Sequence, residues 1–230
     1  MLKLYIGNKN YSSWSMRPWV LMTQADIPFE EVMVRFDSFA ADSCFKAATN
    51  AINPVGKVPV LLDDNLAIWD TLAIAEYLAE SFPEKKLWPT SVAERARARS
   101  VCAEMHAGFG GLRSAFGMNI EAHLPEVGAL VLRDNSAARA DLARIDAMWS
   151  ELLATHDRPM LFGDFSIADA YFAPVCMRIS TYALPVSPAV AAYVERVKAL
   201  PGVAAWTRGA LAEKDFLDFE EPYRLRRTGI

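Results

Sequence analysis

The sequence predicts a small α/β domain followed by an all-helical one, and three observations carry that reading. Over roughly the first 80 residues, apolar runs of strand length alternate with helical spacing in the order βαβ, loop, ββα. A segment with two prolines and a charge cluster, 81–89, then breaks the pattern. Beyond it nearly every periodic stretch has helical spacing. The boundaries drawn from this are 1–81, a linker at 82–91, and 92–230.

The elements follow in order. Leu2-Lys3-Leu4-Tyr5-Ile6 reads as the first strand. Next comes Asn10-Tyr11-Ser12-Ser13-Trp14-Ser15-Met16-Arg17-Pro18-Trp19, opening a helix that continues over 19–25. Proline lacks an N–H and suits a first helical turn, so Pro18 places the expected cap between Trp14 and Arg17. Serine hydroxyls and free amides then meet at a positive helix end, which favours an anion. Asp26-Ile27-Pro28 ends the helix, and 29–34 alternates as a second strand, parallel to the first. Residues 36–55 lack clean periodicity and read as an irregular segment with a short helix. Val58-Pro59-Val60-Leu61-Leu62 and Leu66-Ala67-Ile68 flank Asp63-Asp64-Asn65 as a hairpin. Trp69-Asp70-Thr71 leads into helical spacing over 72–78. The later helices are expected at 95–116, 137–153, 167–177, 189–199 and 203–212, with Gly108, Gly110 and Gly111 weakening the first.

Composition excludes several function classes. At 53% hydrophobic and 23% charged, the chain can bury a core as a soluble protein does. A net charge of -4 argues against nucleic acid or an anionic membrane as the main partner. The basic tail Arg224-Leu225-Arg226-Arg227 reads as a solvated end. Cys44, Cys102 and Cys176 are widely spaced, with no CxxC and no Cys/His cluster, so neither a metal site nor a disulfide framework is expected. Reduced thiols fit a cytoplasmic protein. Lys3 is followed by only three apolar residues before Gly7, which is no signal peptide, and no run approaches a membrane span.

Four local pieces could carry chemistry. Val58-Pro59 opens a strand, where a proline must sit at the first position or turn the chain; by frequency alone its bond is expected to be trans. Asp70-Thr71 precedes a helix, either as a plain N-cap pair or as a site where Thr71 binds a ligand carboxylate and Asp70 a ligand ammonium. Ser166-Ile167-Ala168-Asp169 is a capping box, read as structural. His106, His123 and His156 have no carboxylate or serine at useful spacing, and no G-x-S-x-G elbow exists, so a hydrolase triad is disfavoured.

In order and spacing, the serine-rich turn Ser12–Arg17, the Asn-Pro-x-Gly-Lys-Val-Pro stretch from Asn53 to Pro59, Asp70-Thr71-Leu72-Ala73-Ile74 and Ser166-Ile167-Ala168-Asp169 resemble the glutathione transferase superfamily. The resemblance spans essentially the whole chain and leans toward serine-type, bacterial-like members near the zeta and tau classes. It implies a thioredoxin-like N-terminal domain, an all-helical C-terminal domain, and a cis bond before Pro59. It implies glutathione as co-substrate, with Ser12 facing its sulfur and Ser13 as the neighbour able to substitute. The main chain of Val58, beside Pro59, would pair with the cysteinyl part, Asp70 and Thr71 would hold the γ-glutamyl end, and Lys57 would face the glycyl carboxylate. An electrophile pocket would draw on Tyr11, Trp14, Met105, Phe109 and Arg113. A cytoplasmic homodimer with a detoxifying role is implied by the family alone. Trp14 stands where the zeta class has cysteine, and Asp70-Thr71 where related members have Glu-Ser or Gln-Ser. The alternatives are an isomerase of the maleylacetoacetate type and a non-catalytic binding protein on the same fold.

Overall fold

In the computed structural model, which describes residues 1–156 and 158–224, β1 (Leu2–Ile6) sits inside a four-stranded sheet of order β2-β1-β3-β4. Leu225, Arg226 and Arg227 of the basic tail lie outside the described residues. β1 pairs in parallel with β2 (Glu30–Met33), Lys3 opposite Glu30, and antiparallel with β3 (Val60–Asp63), Leu4 opposite Leu61. β3 turns into β4 (Leu66–Trp69) through the expected hairpin, with Asp64 at φ 48°. A parallel pair needs a crossover, and α1 (Ser13–Gln24) supplies it. α2 (Cys44–Asn50) interrupts the irregular segment, and α3 (Thr71–Ser81) closes the domain.

α1 starts earlier than Pro18 implied. Its N-cap is Ser12, and Pro18 lies inside the helix. An interior proline costs about 3 kcal/mol. The buried run from Ser15 to Met22, packed between the sheet and the helical domain, outweighs that loss.

The helical domain contains α4 (Val92–Ala107), α5 (Gly110–Ala115), α6 (Pro125–Asp134), α7 (Ser136–Thr155), α8 (Ile167–Thr181), α9 (Pro188–Ala199) and α10 (Pro201–Glu213). The single helix expected over 95–116 is two. Gly108 is extended and Phe109 left-handed at φ 54°, which lets α5 turn onto α7. There Gly111 approaches so closely that a Cβ would lie 2.6 Å from the Ala137 carbonyl carbon. α6 was not anticipated, although Pro125 and Glu126 at its start and Val127 and Val131 one turn apart carry the signal.

α8 is the hub. Every residue from Ile167 to Ile179 is buried, and α1, α4 and α9 pack around it. Its capping box forms as read from the sequence. The Asp169 carboxylate also accepts from the Leu161 amide (3.1 Å) and the Tyr193 hydroxyl (2.9 Å), while its burial raises its pKa. Trp19 of α1 meets Trp206 of α10 edge-on, with centroids 5.3 Å apart. Past α10 the chain returns over the N-terminal domain: Asp215 accepts from Asn8, and Glu221 accepts from the Tyr11 hydroxyl (2.7 Å). Cys102 and Cys176 are buried, Cys44 is exposed, and all three are free thiols. Among the described residues, no helix is long and apolar enough to cross a membrane.

Candidate functional site

Two adjoining cavities lie between the sheet domain and the helices, sharing Trp14, Lys57, Val58 and Arg113 as common walls. The first, about 530 Å³, is lined by Val58-Pro59, Asp70-Thr71 and His106. The second, about 420 Å³, is lined by Ser12, Ser13, Tyr11, Phe36 and Arg178.

The loop before β3 is built by Asn53. Its Oδ1 accepts from the amides of Val55 and Gly56, both at 3.0 Å, and its Nδ2 donates to the carbonyls of Thr49 and Lys57. Gly56 has φ +60°, and a Cβ there would meet Asn50 Oδ1 at 2.1 Å. This loop presents Val58-Pro59, whose peptide bond is cis. The trans expectation from frequency is therefore corrected; the resemblance had implied cis. Among the described residues, the N–H and C=O of Val58 have no protein hydrogen-bond partner.

Asp70 is the N-cap of α3 at φ 73°, a conformation uncommon for a non-glycine residue. Its Oδ1 accepts from the Leu72 amide at 2.9 Å, and its Oδ2 lies 3.2 Å from His106 Nε2. His106 Nδ1 lies 3.0 Å from the Tyr171 hydroxyl, which lies 2.7 Å from Thr71 Oγ1. Burial pushes the Tyr171 phenol up to about 12. Asp70, His106, Tyr171 and Thr71 thus form one polar run across the domain boundary. No carboxylate stands at useful sequence spacing from His106; the fold brings Asp70 to it, and Glu94 to His156 (3.7 Å), from distant positions in the chain.

At the start of α1, Ser12 makes no side-chain cap. Its hydroxyl donates to Ser15 Oγ at 2.7 Å, which also accepts from the Gly7 amide. Ser13 Oγ accepts from Arg178 Nη2 at 3.2 Å. Ser12 and Ser13 are 7% and 8% exposed, and both line the second cavity. Trp14 is half-buried, with the Arg17 guanidinium 3.8 Å and the Arg113 guanidinium 5.3 Å from its ring centroid. Tyr11 and Arg113 line the second cavity with it. Met105 and Phe109, by contrast, are buried in the core and line neither cavity.

Tyr171, Arg178 and Glu220 were not picked out from the sequence, and His106 was weighed only as a hydrolase residue and set aside. They come from α4, α8 and the segment after α10, and no local motif marks them. Among the described residues, no group of three or more His, Cys, Asp or Glu is placed to hold a metal.

Fold and site define a two-domain protein of thioredoxin-like plus helical architecture with a cleft at the domain boundary. The family model for the glutathione S-transferase N-terminal domain matches residues 11–81, and that for the C-terminal domain matches 93–209. The glutathione S-transferase GstB of Escherichia coli (strain K12) is 26% identical over 188 residues, covering 80% of this chain and 86% of that protein. A probable maleylacetoacetate isomerase of Caenorhabditis elegans is 32% identical over 98 residues, 43% of each chain. The crystal structure of a Burkholderia glutathione transferase homologue with bound glutathione superposes with a TM-score of 0.69 at 25% identity, covering 93% of this chain and 99% of that one. The chain belongs to the glutathione S-transferase family.

Proposed function

We propose that the protein binds glutathione in the first cavity and activates its thiol at the boundary with the second, for transfer to small electrophiles. The observation that carries this reading is the main chain of Val58, unpaired among the described residues and lining the same cavity as the Asp70-Thr71 helix cap. An extended peptide can pair with Val58 as a strand would, and its far end then reaches the cap. Asp70 receives the γ-glutamyl ammonium; Thr71, at the N-terminus of α3, receives the γ-glutamyl carboxylate. Lys57 faces the glycyl carboxylate. Pro59 fixes the direction of the loop.

The sulfur then lies toward Ser12 and Ser13. A free thiol with a pKa of about 8.5 is only a few per cent thiolate at neutral pH. Lowering the pKa by two units needs about 2.7 kcal/mol. A hydrogen bond to a charged acceptor contributes about 1.5–3 kcal/mol and a helix N-terminus about 0.3–1 kcal/mol, so no general base is required. Ser12 is the proposed partner of the thiolate, its bond to Ser15 being exchanged on binding, and Ser13 is the neighbour able to substitute. Tyr11, Trp14 and Arg113 face the electrophile.

Thermal unfolding with and without glutathione tests the binding step. At one hundred times the dissociation constant, stability should rise by about 2.7 kcal/mol. No shift at millimolar glutathione would support a non-catalytic protein on this fold. The isomerase reading draws on the partial similarity to a probable maleylacetoacetate isomerase, and Trp14 in place of that class's cysteine weighs against it. Turnover of a chloronitroaromatic set against maleylacetoacetate separates the two. A cytoplasmic homodimer in a detoxifying role belongs to the same proposal, and sedimentation tests the dimer.

A further inference from the structure

Arg178 enters the second cavity from the last turn of α8 and is 5% exposed. Its acceptors among the described residues are all uncharged: the Phe116 carbonyl (2.7 Å), the Pro174 carbonyl (3.5 Å) and Ser13 Oγ (3.2 Å). Arg113 lines the same cavity from α5, and its buried Nε has no acceptor among the described residues. Arg17 lies behind Trp14, 2% exposed, with both terminal nitrogens also lacking an acceptor. Among the described residues, no carboxylate forms an ion pair with any of these three guanidinium groups. Burial and mutual repulsion pull Arg17 down to about 9 and Arg178 to about 10, so both stay cationic at neutral pH. Lys46 and Lys57 add positive charge, and the acid lining this cavity is Glu220, pushed up to about 7 by burial.

Buried arginines are ordinarily paired, because a desolvated charge without a counterion is costly. With Lys57 facing the glycyl carboxylate, a single thiolate does not account for the two cavity-lining guanidinium groups. The rest of the lining is apolar and aromatic: Tyr11, Phe36, Phe45 and Met118, with Phe36 and Phe45 edge-on at 5.0 Å. We propose that the acceptor substrate is an anionic electrophile, an aromatic or apolar body whose carboxylate or similar oxyanion seats on Arg178 and Arg113 beside the sulfur. This rests on the transferase reading. For a chloroarene acceptor, the thiolate sulfur forms the new C–S bond at the ring carbon. The C–Cl bond breaks with its electron pair leaving on chloride, and the thiol proton passes to solvent. Planar guanidinium donors suit a carboxylate, and a site that desolvates them discriminates against a neutral analogue.

The test compares 4-chloro-3-nitrobenzoate with 4-chloro-3-nitrobenzamide. Each kcat/KM is divided by the rate constant for uncatalysed reaction with glutathione at the same pH. The anion should be favoured tenfold or more. Arg113→Met and Arg178→Met should each bring the ratio towards one, and the half-buried Arg113 serves if the α8 variant fails to fold. Equal or better use of the amide by the wild-type protein would overturn the inference and leave the transferase reading standing. So would a ratio unchanged in Arg113→Met, or an Arg178→Met protein in which only the pH midpoint with the amide moves. Absence of any glutathione thermal shift would sink the transferase reading and this inference with it.

Discussion

In the first cavity, Val58-Pro59 and Asp70-Thr71 come from short pieces of chain: the former from a loop closed by Asn53, the latter from the cap of α3. In the second, Ser13 and Arg178 meet across 165 positions of sequence, and Glu220 arrives on the segment after α10. One side is shaped by backbone and local hydrogen bonds, the other by side chains delivered through helix packing. Holding one fixed ligand suits the first kind of construction. Discrimination among acceptors suits the second, where a single side chain can change without disturbing a loop.

The comparison breaks first at α8, whose capping box is structural and yet supports both cavities. Asp169→Ala should cost about 3 kcal/mol of stability, since the buried carboxylate accepts from two amides and the Tyr193 hydroxyl. Denaturant unfolding measures this, and a change within experimental error would show that the box does not hold the hub. Glutathione affinity of the folded fraction should change little.

His106→Gln probes the seam between the two constructions. His106 bridges Asp70 on one domain and Tyr171 on the other. Glutathione affinity should weaken by about threefold to tenfold, equivalent to about 0.7–1.4 kcal/mol, with the pH midpoint of turnover unmoved. Calorimetric titration reads the affinity. A moved midpoint with unchanged affinity would place His106 in the chemistry instead.

An effect confined to higher pH is expected at Glu220. Its carboxyl is pushed from an ordinary 4.5 up to about 7, so the folded state favours the protonated form. Stability from this group is present below about 4.5 and is lost as pH rises through about 7. Glu220→Gln should therefore raise Tm over the wild-type protein at pH 8 and leave it unchanged near pH 4. An equal shift at both pH values would mean that the carboxyl is not desolvated.

The same contrast explains what could be read from the sequence. The strand order of events in the N-terminal domain, the hairpin, the α8 capping box and the Asn53–Pro59 loop are all written in adjacent residues, because caps, turns and alternation are local physics. Pro18 misled because burial of both faces of α1 overrode an intrinsic preference. Phe109 misled because a left-handed break between α4 and α5 is demanded by the close approach of Gly111 to Ala137, a tertiary contact. Arg178 and the contacts of His106 were invisible for the same reason: their partners lie on other elements. Met105 shares the apolar face of α4 with Val101 and Cys102, and it is buried in the core with them.

The central claim is that glutathione bound at this site ionises more readily than free thiol. Ultraviolet difference titration of the bound thiolate, in the wild-type protein and in Ser12→Ala, measures it directly. The wild-type complex should titrate about two pH units below the free thiol, and Ser12→Ala should recover one unit or more of that shift. A bound thiol that titrates at the same pH as free glutathione would contradict the account.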